Sequence, residues 1–419
     1  MKLTLKQIRS FFIGLIILLL GGFLGYFASQ KQIFVKRNSS SISNDLKLNF
    51  SSLKPAAKMD LFWEVWDKVS QSYLGRKDLD PKKMVYGAIS GMVASLGDPY
   101  TVFLPPSDNK EVKADLRGDF EGVGIQIGFN KDQRVTVIAP LAGTPADAAG
   151  LKSGDVILKI VDVAQKVNKD TAGMALQDAV DLIRGAKGTS VTLTIGREGL
   201  NKPFDVNLKR ETIVVKSVNV KFVEKEGKEV AILTLSRFGD RTDDEWAEAV
   251  KTIKAEEAKK PNFSGVILNL RNNPGGYLDG AVFIGSEFLS SGPVVLQDRG
   301  ADGKETYSVN RQGQLLREPL IVLINGGSAS ASEIVAGALQ EAKRAKLVGE
   351  KSFGKGSVQE LESLANGTSL KITVAKWLTP SGHSIMHDGI DPDVKVEFTK
   401  DDLDNGRDPQ LDKALELLK

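Results

Sequence analysis

PLIVLINGGSASASEIVAGALQEAKRAKLVGEKSFGKGSVQE, residues 319–360, is the stretch around which the chain is organised. Residues 319–324 are apolar and partly β-branched, and they are bounded by proline and Gly-Gly, which is typical of a buried strand. From Ser332 onwards the apolar residues recur at helical spacing, so a helix is predicted. The order strand, glycine-rich turn, helix places a small hydroxyl side chain beside the unpaired N–H groups of a helix N-terminus.

Ser330 has two interpretations within this stretch. The run Ser330-Ala331-Ser332-Glu333 matches a capping box, in which Ser330 only caps the helix and Glu333 bonds back. As a nucleophile, Ser330 would need a base, and the chain has only two histidines. Lys355, which lies between two glycines, can serve as that base if burial lowers its pKa from ~10.4 towards ~7–8.

The segments 327–334 and 349–359 together resemble the active-site signatures of the C-terminal processing (tail-specific) serine peptidases, family S41A. The resemblance implies that Ser330 is the nucleophile, that Lys355 is the general base, and that Gln359 orients the lysine. The spacing of 25 residues between serine and lysine is also that of the family. If 355–359 is extended, positions four apart share a face, so the amide of Gln359 can reach the amine. The nearby Ser328, Ser332 and Lys351 are interpreted as non-catalytic.

Strands alternate with helices after Arg210, which favours a mainly parallel sheet covered by helices over residues 208–400. The family resemblance implies a crotonase-like (ClpP-like) α/β serine peptidase core. It also assigns the oxyanion N–H donors, which map to Gly275 or Gly276 in the turn Asn-Pro-Gly-Gly and to Ala331. Such donors contribute ~3–4 kcal/mol each to the transition state. The sequence leaves open which glycine donates, and Asn269 replaces an aspartate that is frequent in the family.

Residues 116–207 form a separate α+β module of short strands, turns and one helix. Its order and its Ala-Gly-Leu-x-x-Gly-Asp-x-Ile run at 149–157 resemble PDZ domains of bacterial proteases. Such domains bind a peptide's C-terminal carboxylate with a glycine-rich loop, here Gly122-Val123-Gly124-Ile125, while the peptide adds a strand beside the helix. Arg184, at the end of the predicted helix 176–184, either favours the helix C-terminus by its charge or, as the family suggests, relays peptide binding to the active site.

The N-terminal residues predict a membrane segment. Lys2, Lys6 and Arg9 precede an uncharged apolar run at 11–28, whose 18 residues at ~1.5 Å each just span a hydrocarbon core. We therefore expect a signal anchor over 1–35, with a cleaved signal peptide as the alternative. A linker rich in serine and asparagine follows at 36–56. This organisation predicts a single-pass bacterial membrane protein with its catalytic region on the periplasmic or extracellular side.

The remaining regions carry weaker signals. Apolar residues at helical spacing predict a small helical region over 57–115, which either packs on the rest of the protein or, as the family suggests, forms a homodimer. A polar link at 401–407 precedes a C-terminal helix, within a last segment of 401–419. His383 and His387 lie in a glycine-containing loop and are interpreted as solvated, so no metal site is expected. The chain of 419 residues has no cysteine, and its net charge of +3 without a basic aromatic face argues against nucleic-acid binding.

These observations predict an α/β multidomain protein with an N-terminal membrane anchor, a helical region, a PDZ domain and a peptidase core. The predicted function is a serine endopeptidase with a Ser330–Lys355 dyad that needs no cofactor and acts on exported proteins with free C-termini. A regulatory or adaptor protein is a further expected partner. The alternative from another class is a proteolytically inactive PDZ scaffold at the membrane.

Overall fold

The computed structural model describes residues 59–418. The chain divides into two compact units between Met84 and Val85. In the first unit, helix α1 (Asp60–Ser72) is followed by a 3₁₀ turn at Arg76–Asp78. The rings of Phe62 and Trp63 in α1 contact each other edge to face at 5.0 Å, and no residue of this helix is buried.

The predicted anchor at 1–35 and the linker at 36–56 lie outside the described residues. Within residues 59–418, no helix combines the length and the apolar composition that crossing a membrane requires.

The division between the units falls within helix α2 (Pro81–Ala94). The second unit continues with β1 Val102–Leu104, α3 Pro106–Arg117 and β2 Asp119–Gly122. Gly118 ends α3 in a left-handed conformation, with φ of 70°, and so turns the chain directly into β2. The predicted helical region 57–115 therefore also contains a strand, β1. No apolar pattern in the sequence indicated α3, because its residues are mostly polar.

The PDZ-like domain is a sheet packed against two helices, a single turn and a longer one. Its elements are β3 Ile125–Phe129, β4 Val135–Pro140, α4 Pro145–Ala148, β5 Val156–Asp162, β6 Val167–Asp170, α5 Leu176–Ile183, β7 Ser190–Gly196 and β8 Phe204–Lys209. The strands are ordered β3-β4-β5-β7-β8, with β6 paired to β5. Ala179 and Ile183 of α5 are buried together with apolar residues of the sheet such as Leu193. The buried residues of α5 are four apart and so lie on one face of the helix, whereas those of a strand occupy every second position. Strand β3 is an edge strand that pairs with β4 alone among the described strands.

The rest of the chain forms the core domain. Its elements are β9 Glu211–Val214, β10 Val218–Lys225, β11 Lys228–Leu235, α6 Thr242–Glu257, β12 Phe263–Asn269, α7 Leu278–Phe288, β13 Pro293–Asp298, β14 Lys304–Ser308, β15 Leu320–Ile324, α8 Ala331–Glu341, β16 Lys346–Gly349, β17 Ser357–Ser363, β18 Ser369–Leu378, β19 Val394–Lys395, α9 Lys400–Asp404 and α10 Pro409–Leu417. The main sheet has the order β10-β11-β12-β15-β16-β19. From β11 onwards its strands are parallel, as the alternation of strands and helices predicts.

Helices cover both faces of this sheet. Trp246 of α6, Phe288 of α7 and Leu339 of α8 are buried against one face. Ala414 and Leu415 of α10 are buried against the other, so the C-terminal helix closes the sheet. Strands that are apolar throughout, such as Leu320–Ile324, fit a sheet that is buried on both sides. The predicted polar link at 401–407 is partly wrong, because Thr399 caps a short helix there, α9.

A second, antiparallel sheet has the order β1-β18-β13-β14, with β17 also paired to β18. The hairpin of β17 and β18 directly follows the segment that carries Lys355. Strand β1, about 270 residues earlier in the chain, pairs with the first residues of β18. A separate ribbon of β2 and β9 connects the two domains, so β2 pairs outside the PDZ-like sheet.

Candidate active site

Ser330 lies in the turn between β15 and α8, as the strand–turn–helix pattern predicts. Its backbone has φ of 56° and ψ of −117°, a conformation that is strained for a residue with a side chain. The turn is held by Ser328, whose hydroxyl donates to the Leu270 carbonyl at 2.8 Å. Gly275 packs against the other side of the turn, because a Cβ placed there would lie only 2.8 Å from Ser330 Cβ. This turn places Ser330 at the N-terminus of α8. Strained backbone conformations of this kind are frequent in active sites.

Glu333 joins the serine segment to the lysine segment. The side chain is fully buried, and its Oε2 accepts from the Ser330 N–H at 2.7 Å and the Lys355 N–H at 2.9 Å. Its Oε1 accepts from Ser352 Oγ and the Gly354 N–H, both at 2.6 Å. The predicted bond from Glu333 back to the residue before the helix is therefore present. The same carboxylate also fixes the backbone of the glycine-rich loop, a role that the capping interpretation did not anticipate.

Lys355 is largely buried and its amine has an unusual environment. Burial, and to a smaller extent the nearby charge of Lys371, lower the pKa of Lys355 to about 8, while the Glu333 carboxylate acts in the opposite direction. Nζ lies 5.2 Å from the centre of the Tyr100 ring, and within residues 59–418 it takes part in no ion pair. The Lys355 carbonyl accepts from Trp377 Nε1 at 2.7 Å, which fixes the loop to β18. A lysine in this setting is a free amine at far lower pH than an exposed one.

Ser330 and Lys355 line one cavity of about 840 Å³. The cavity also brings together the other residues that the sequence predicted for the peptidase site, namely Gln359, Gly275, Gly276 and Ala331. Much of its wall is apolar. The apolar side chains come from α3, the turn after β11, α7, α8 and the β17–β18 hairpin: Val112, Leu116, Phe238, Leu278, Ile334, Val358, Leu361 and Trp377. Sequence reasoning missed the residues of α3 and Tyr100, because both reach the site only through long-range packing.

Gln359 has hydrogen-bond partners other than the lysine. Its Nε2 donates to Ser357 Oγ at 2.8 Å and to Thr373 Oγ1 at 3.2 Å. The sequence argument assumed an extended run from Lys355 to Gln359, but β17 begins only at Ser357 and its register shifts between Val358 and Gln359. Lys355 and Gly356 therefore lie before the strand, where side chains do not alternate regularly between two faces. The orienting role of Gln359 stays a prediction.

The two candidate oxyanion glycines differ in their backbone hydrogen bonds. The Gly275 N–H donates to Asn273 Oδ1 at 2.9 Å and is therefore engaged. Among residues 59–418, the Gly276 N–H donates no hydrogen bond, whereas the N–H of the next residue, Tyr277, donates to the Phe238 carbonyl at 2.9 Å. Ala331 is the first residue of α8, so its N–H has no partner inside the helix. The geometry therefore favours Gly276 over Gly275 as the companion of Ala331.

The predicted carboxylate loop of the PDZ domain, Gly122 to Ile125, connects β2 to the edge strand β3. Gly124 has φ of 77°, and a Cβ there would lie 2.3 Å from Thr144 Cβ, so only glycine fits. Val123 is buried in the domain core, and its carbonyl accepts from the Ala146 N–H. The loop is thus held rigidly at one end of β3, against which α5 packs.

Arg184 follows α5 and lines the same cavity as Ser330. Its guanidinium stacks over the Phe120 ring at 5.1 Å, and its Cγ is close to Gly122 of the carboxylate loop. Arg184 is the residue that ends α5, and the carbonyls of Leu182 and Ile183 there accept hydrogen bonds from Arg210. Arg184 is therefore placed between the PDZ domain and the peptidase cavity. Both predicted roles of Arg184 stay predictions.

Comparisons with known proteins agree with this arrangement. The family model described as peptidase family S41 matches residues 229–396, and that of the PDZ domain matches residues 112–196. A third model, described as the N-terminal domain of the activating protease CtpB, matches residues 18–107.

Among known sequences, the carboxy-terminal processing protease CtpA of Bacillus subtilis (strain 168) is 34% identical over 393 residues, which cover 94% of this chain and 78% of that protein. The carboxy-terminal-processing protease of Bartonella bacilliformis is 38% identical over 355 residues, with coverage of 84% and 78%. A solved structure, the putative S41 protease from Bacteroides fragilis, covers 84% of this chain and 96% of its own, with 18% identity and a TM-score of 0.55, and so supports the fold.

The chain belongs to the carboxy-terminal processing proteases, which are serine endopeptidases of peptidase family S41, and it carries the PDZ domain of that group. The predicted α/β peptidase core and the PDZ domain are confirmed. A scaffold without activity, the alternative that the sequence left open, is not supported by this membership.

Proposed function

We propose that this protease cleaves exported proteins near their C-terminal tails with a Ser330–Lys355 dyad. The observation that carries the proposal is the shared cavity, in which a serine on a strained turn faces the same space as a lysine whose pKa is lowered to about 8. The lysine takes the place that histidine has in other serine proteases, because a partly deprotonated amine is a competent base near neutral pH.

The reaction then follows from the groups around the cavity. Ser330 Oγ attacks the carbonyl carbon of the scissile peptide bond while the Lys355 amine takes the hydroxyl proton. The N–H groups of Gly276 and Ala331 stabilise the negative charge that develops on the carbonyl oxygen. Collapse of the tetrahedral intermediate releases the amine, which takes the proton from the Lys355 ammonium. A water molecule, deprotonated by the Lys355 amine, then attacks the acyl-enzyme carbonyl, and the Lys355 ammonium returns the proton to Ser330 Oγ as the ester bond breaks.

The apolar cavity wall supports a preference for apolar side chains beside the scissile bond. Leu278, Ile334 and Trp377 lie on the wall that also contains Ser330. An apolar side chain gains roughly 25 cal/mol for each Å² that it removes from water. We infer that substrates present flexible, apolar C-terminal segments, and that the PDZ loop from Gly122 to Ile125 binds the free carboxylate while the tail adds to the edge strand β3.

The first experiment measures cleavage of an unfolded reporter with a free apolar C-terminus. Wild type, Ser330→Ala and Lys355→Ala are compared, and only wild type is expected to cut. Lys351→Ala is the matched control, because this exposed lysine lies four residues earlier and pairs with Asp391. If both dyad variants cut as fast as wild type, the dyad is wrong. The same reporter with an amidated tail should be cut more slowly if the PDZ domain binds the free carboxylate.

We also propose that residues 1–35 anchor the protein in the bacterial membrane with the catalytic region outside the cytoplasm. The apolar run at 11–28 and the basic residues before it support this. N-terminal sequencing of the protein from its own cells tests the anchor, since a mature start after residue 25 would show cleavage. A homodimer and a regulatory or adaptor protein stay predictions.

A further inference from the structure

Three residues of β18 lie near the catalytic lysine, namely Lys371, Thr373 and Trp377. Lys371 and Thr373 are two positions apart and share a face of the strand, while Trp377 follows the irregularity at which the β17–β18 register shifts. Trp377 Nε1 donates a hydrogen bond to the Lys355 carbonyl, and Thr373 Oγ1 accepts one from Gln359 Nε2. Lys371, the remaining member, is half-buried and lines the cavity that contains Ser330 and Lys355. Its place in the sheet is set from both sides, because it pairs with Val102 of β1 and with Leu361 of β17.

The charges around the two lysines leave Lys371 without a counter-ion. Within residues 59–418 it takes part in no ion pair or side-chain hydrogen bond. Arg237, which lines the same cavity, is paired with Asp115 of α3. The cavity's other charged groups are Glu111 of α3 and Arg184, which is stacked over Phe120.

The groups that face Lys355 come from three further elements. Glu333 of α8 is the nearby carboxylate, and it is already held by four hydrogen-bond donors. The Tyr100 ring approaches from the turn before β1. Lys371 of β18 therefore adds a second positive charge to a cavity that already encloses one amine.

We propose that Lys371 is a positioning residue of the active site, whose fixed charge keeps the Lys355 amine free to act as the base at neutral pH. The proposal rests on the proposed function, since it requires Lys355 to be the base. A neighbouring cation disfavours protonation of an enclosed amine, and a second cationic group activates lysines in this way in other enzymes. Burial and Lys371 both lower the pKa of Lys355, whereas Glu333 raises it.

The test is the pH dependence of kcat and KM for cleavage of an internally quenched peptide with a free C-terminus. The full chain is compared with Lys371→Met and Lys371→Arg between about pH 6 and about pH 10. Lys376→Met is the matched control, because Lys376 lies on the same strand but is exposed and does not line the cavity. Lys371→Gln serves as a second uncharged variant if the methionine variant does not fold.

In Lys371→Met, the rising limb of kcat is expected to move to higher pH by at least about half a pKa unit. Activity at pH 7 then falls about threefold or more, and the two profiles meet again at high pH. In Lys371→Arg, the rising limb of kcat stays at the wild-type pH because the charge is retained. KM is unchanged in both variants. Lys376→Met behaves as wild type.

Three results would overturn the role of Lys371. They are an unmoved limb in the uncharged variants, an equal displacement in Lys376→Met, and a loss of the same factor at every pH, which would indicate a structural or substrate-binding role. Lys355→Ala is measured in parallel. If it is inactive while the limb of Lys371→Met is unmoved, only the Lys371 proposal fails. If Lys355→Ala retains wild-type activity, the dyad fails and the Lys371 proposal fails with it.

Discussion

Arg210 in the PDZ domain and Lys355 in the peptidase core are both enclosed cations, but their surroundings differ. Arg210 is fully buried and pairs with Asp162 at 2.8 Å. Its remaining donors reach the Thr189 hydroxyl and the carbonyls at the end of α5. Lys355 has no carboxylate partner among the described residues, because the nearby carboxylate of Glu333 accepts from backbone N–H groups and from Ser352 instead.

The difference separates a structural cation from a reactive one. A guanidinium whose donors are all satisfied stays charged and holds its neighbours in place. An ammonium that is enclosed without a partner is destabilised, so its pKa falls and its neutral form becomes available for chemistry. The predictions below test this contrast, starting with the largest expected effect.

Arg210→Met should reduce the free energy of unfolding by about 3–5 kcal/mol, because it leaves the buried Asp162 carboxylate without its partner. Urea unfolding followed by circular dichroism measures the change. Arg117→Met is the control, since its pair with Asp119 is solvent-exposed and such pairs contribute ~1 kcal/mol or less. Equal losses in the two variants would mean that burial does not distinguish these ion pairs.

Lys355→Met should stabilise the protein at pH 7 by up to about 3 kcal/mol while abolishing cleavage. The folded pKa of about 8 lies below the ordinary value of 10.5, so between these pH values the unfolded chain binds more protons than the folded one. The stability of wild type therefore rises as the pH increases from about 8 to 10.5, and the advantage of the variant shrinks over that window. Lys351→Met, at an exposed lysine, should show no such dependence.

Glu333→Gln should cost about 1–3 kcal/mol of stability, because the amide replaces an acceptor of four hydrogen bonds with a group that also donates. The value of kcat should fall by about 10²-fold, since this side chain positions both catalytic segments. Glu341→Gln is the control at the far end of α8, where the carboxylate accepts from Ser381. If Glu333→Gln leaves kcat unchanged, the two segments hold their positions without the carboxylate.

Gln359→Ala should have the smallest effect, a fall in kcat of about fivefold. The reason is that the Gln359 side-chain N–H groups donate to Ser357 and Thr373 rather than to Lys355. The pH profile should keep its wild-type midpoint. A loss of a hundredfold or more would instead mean that Gln359 turns to Lys355 during the reaction, as the family resemblance implies.

Much of the secondary structure could be predicted because it depends on local patterns. The strand at 319–324 and the helix after it appear as Leu320–Ile324 and Ala331–Glu341. In contrast, the hairpin of β17 and β18 and the polar helix α3 were missed. Their stability comes from long-range pairing and from packing against other elements, and neither leaves a periodic signal in the sequence.

The sequence by itself determined the candidate residues of the peptidase site. The spacing of Ser330, Lys355 and Gln359 and the two glycines after Pro274 are properties of the chain, and the family resemblance rests on them. Only the tertiary structure decided what surrounds those residues. The four bonds to Glu333 and the place of Lys371 in the cavity that contains Lys355 arise where distant segments meet. Because the shift of a pKa from its ordinary value depends on burial and on neighbouring charges, the chemistry of Lys355 follows from the fold.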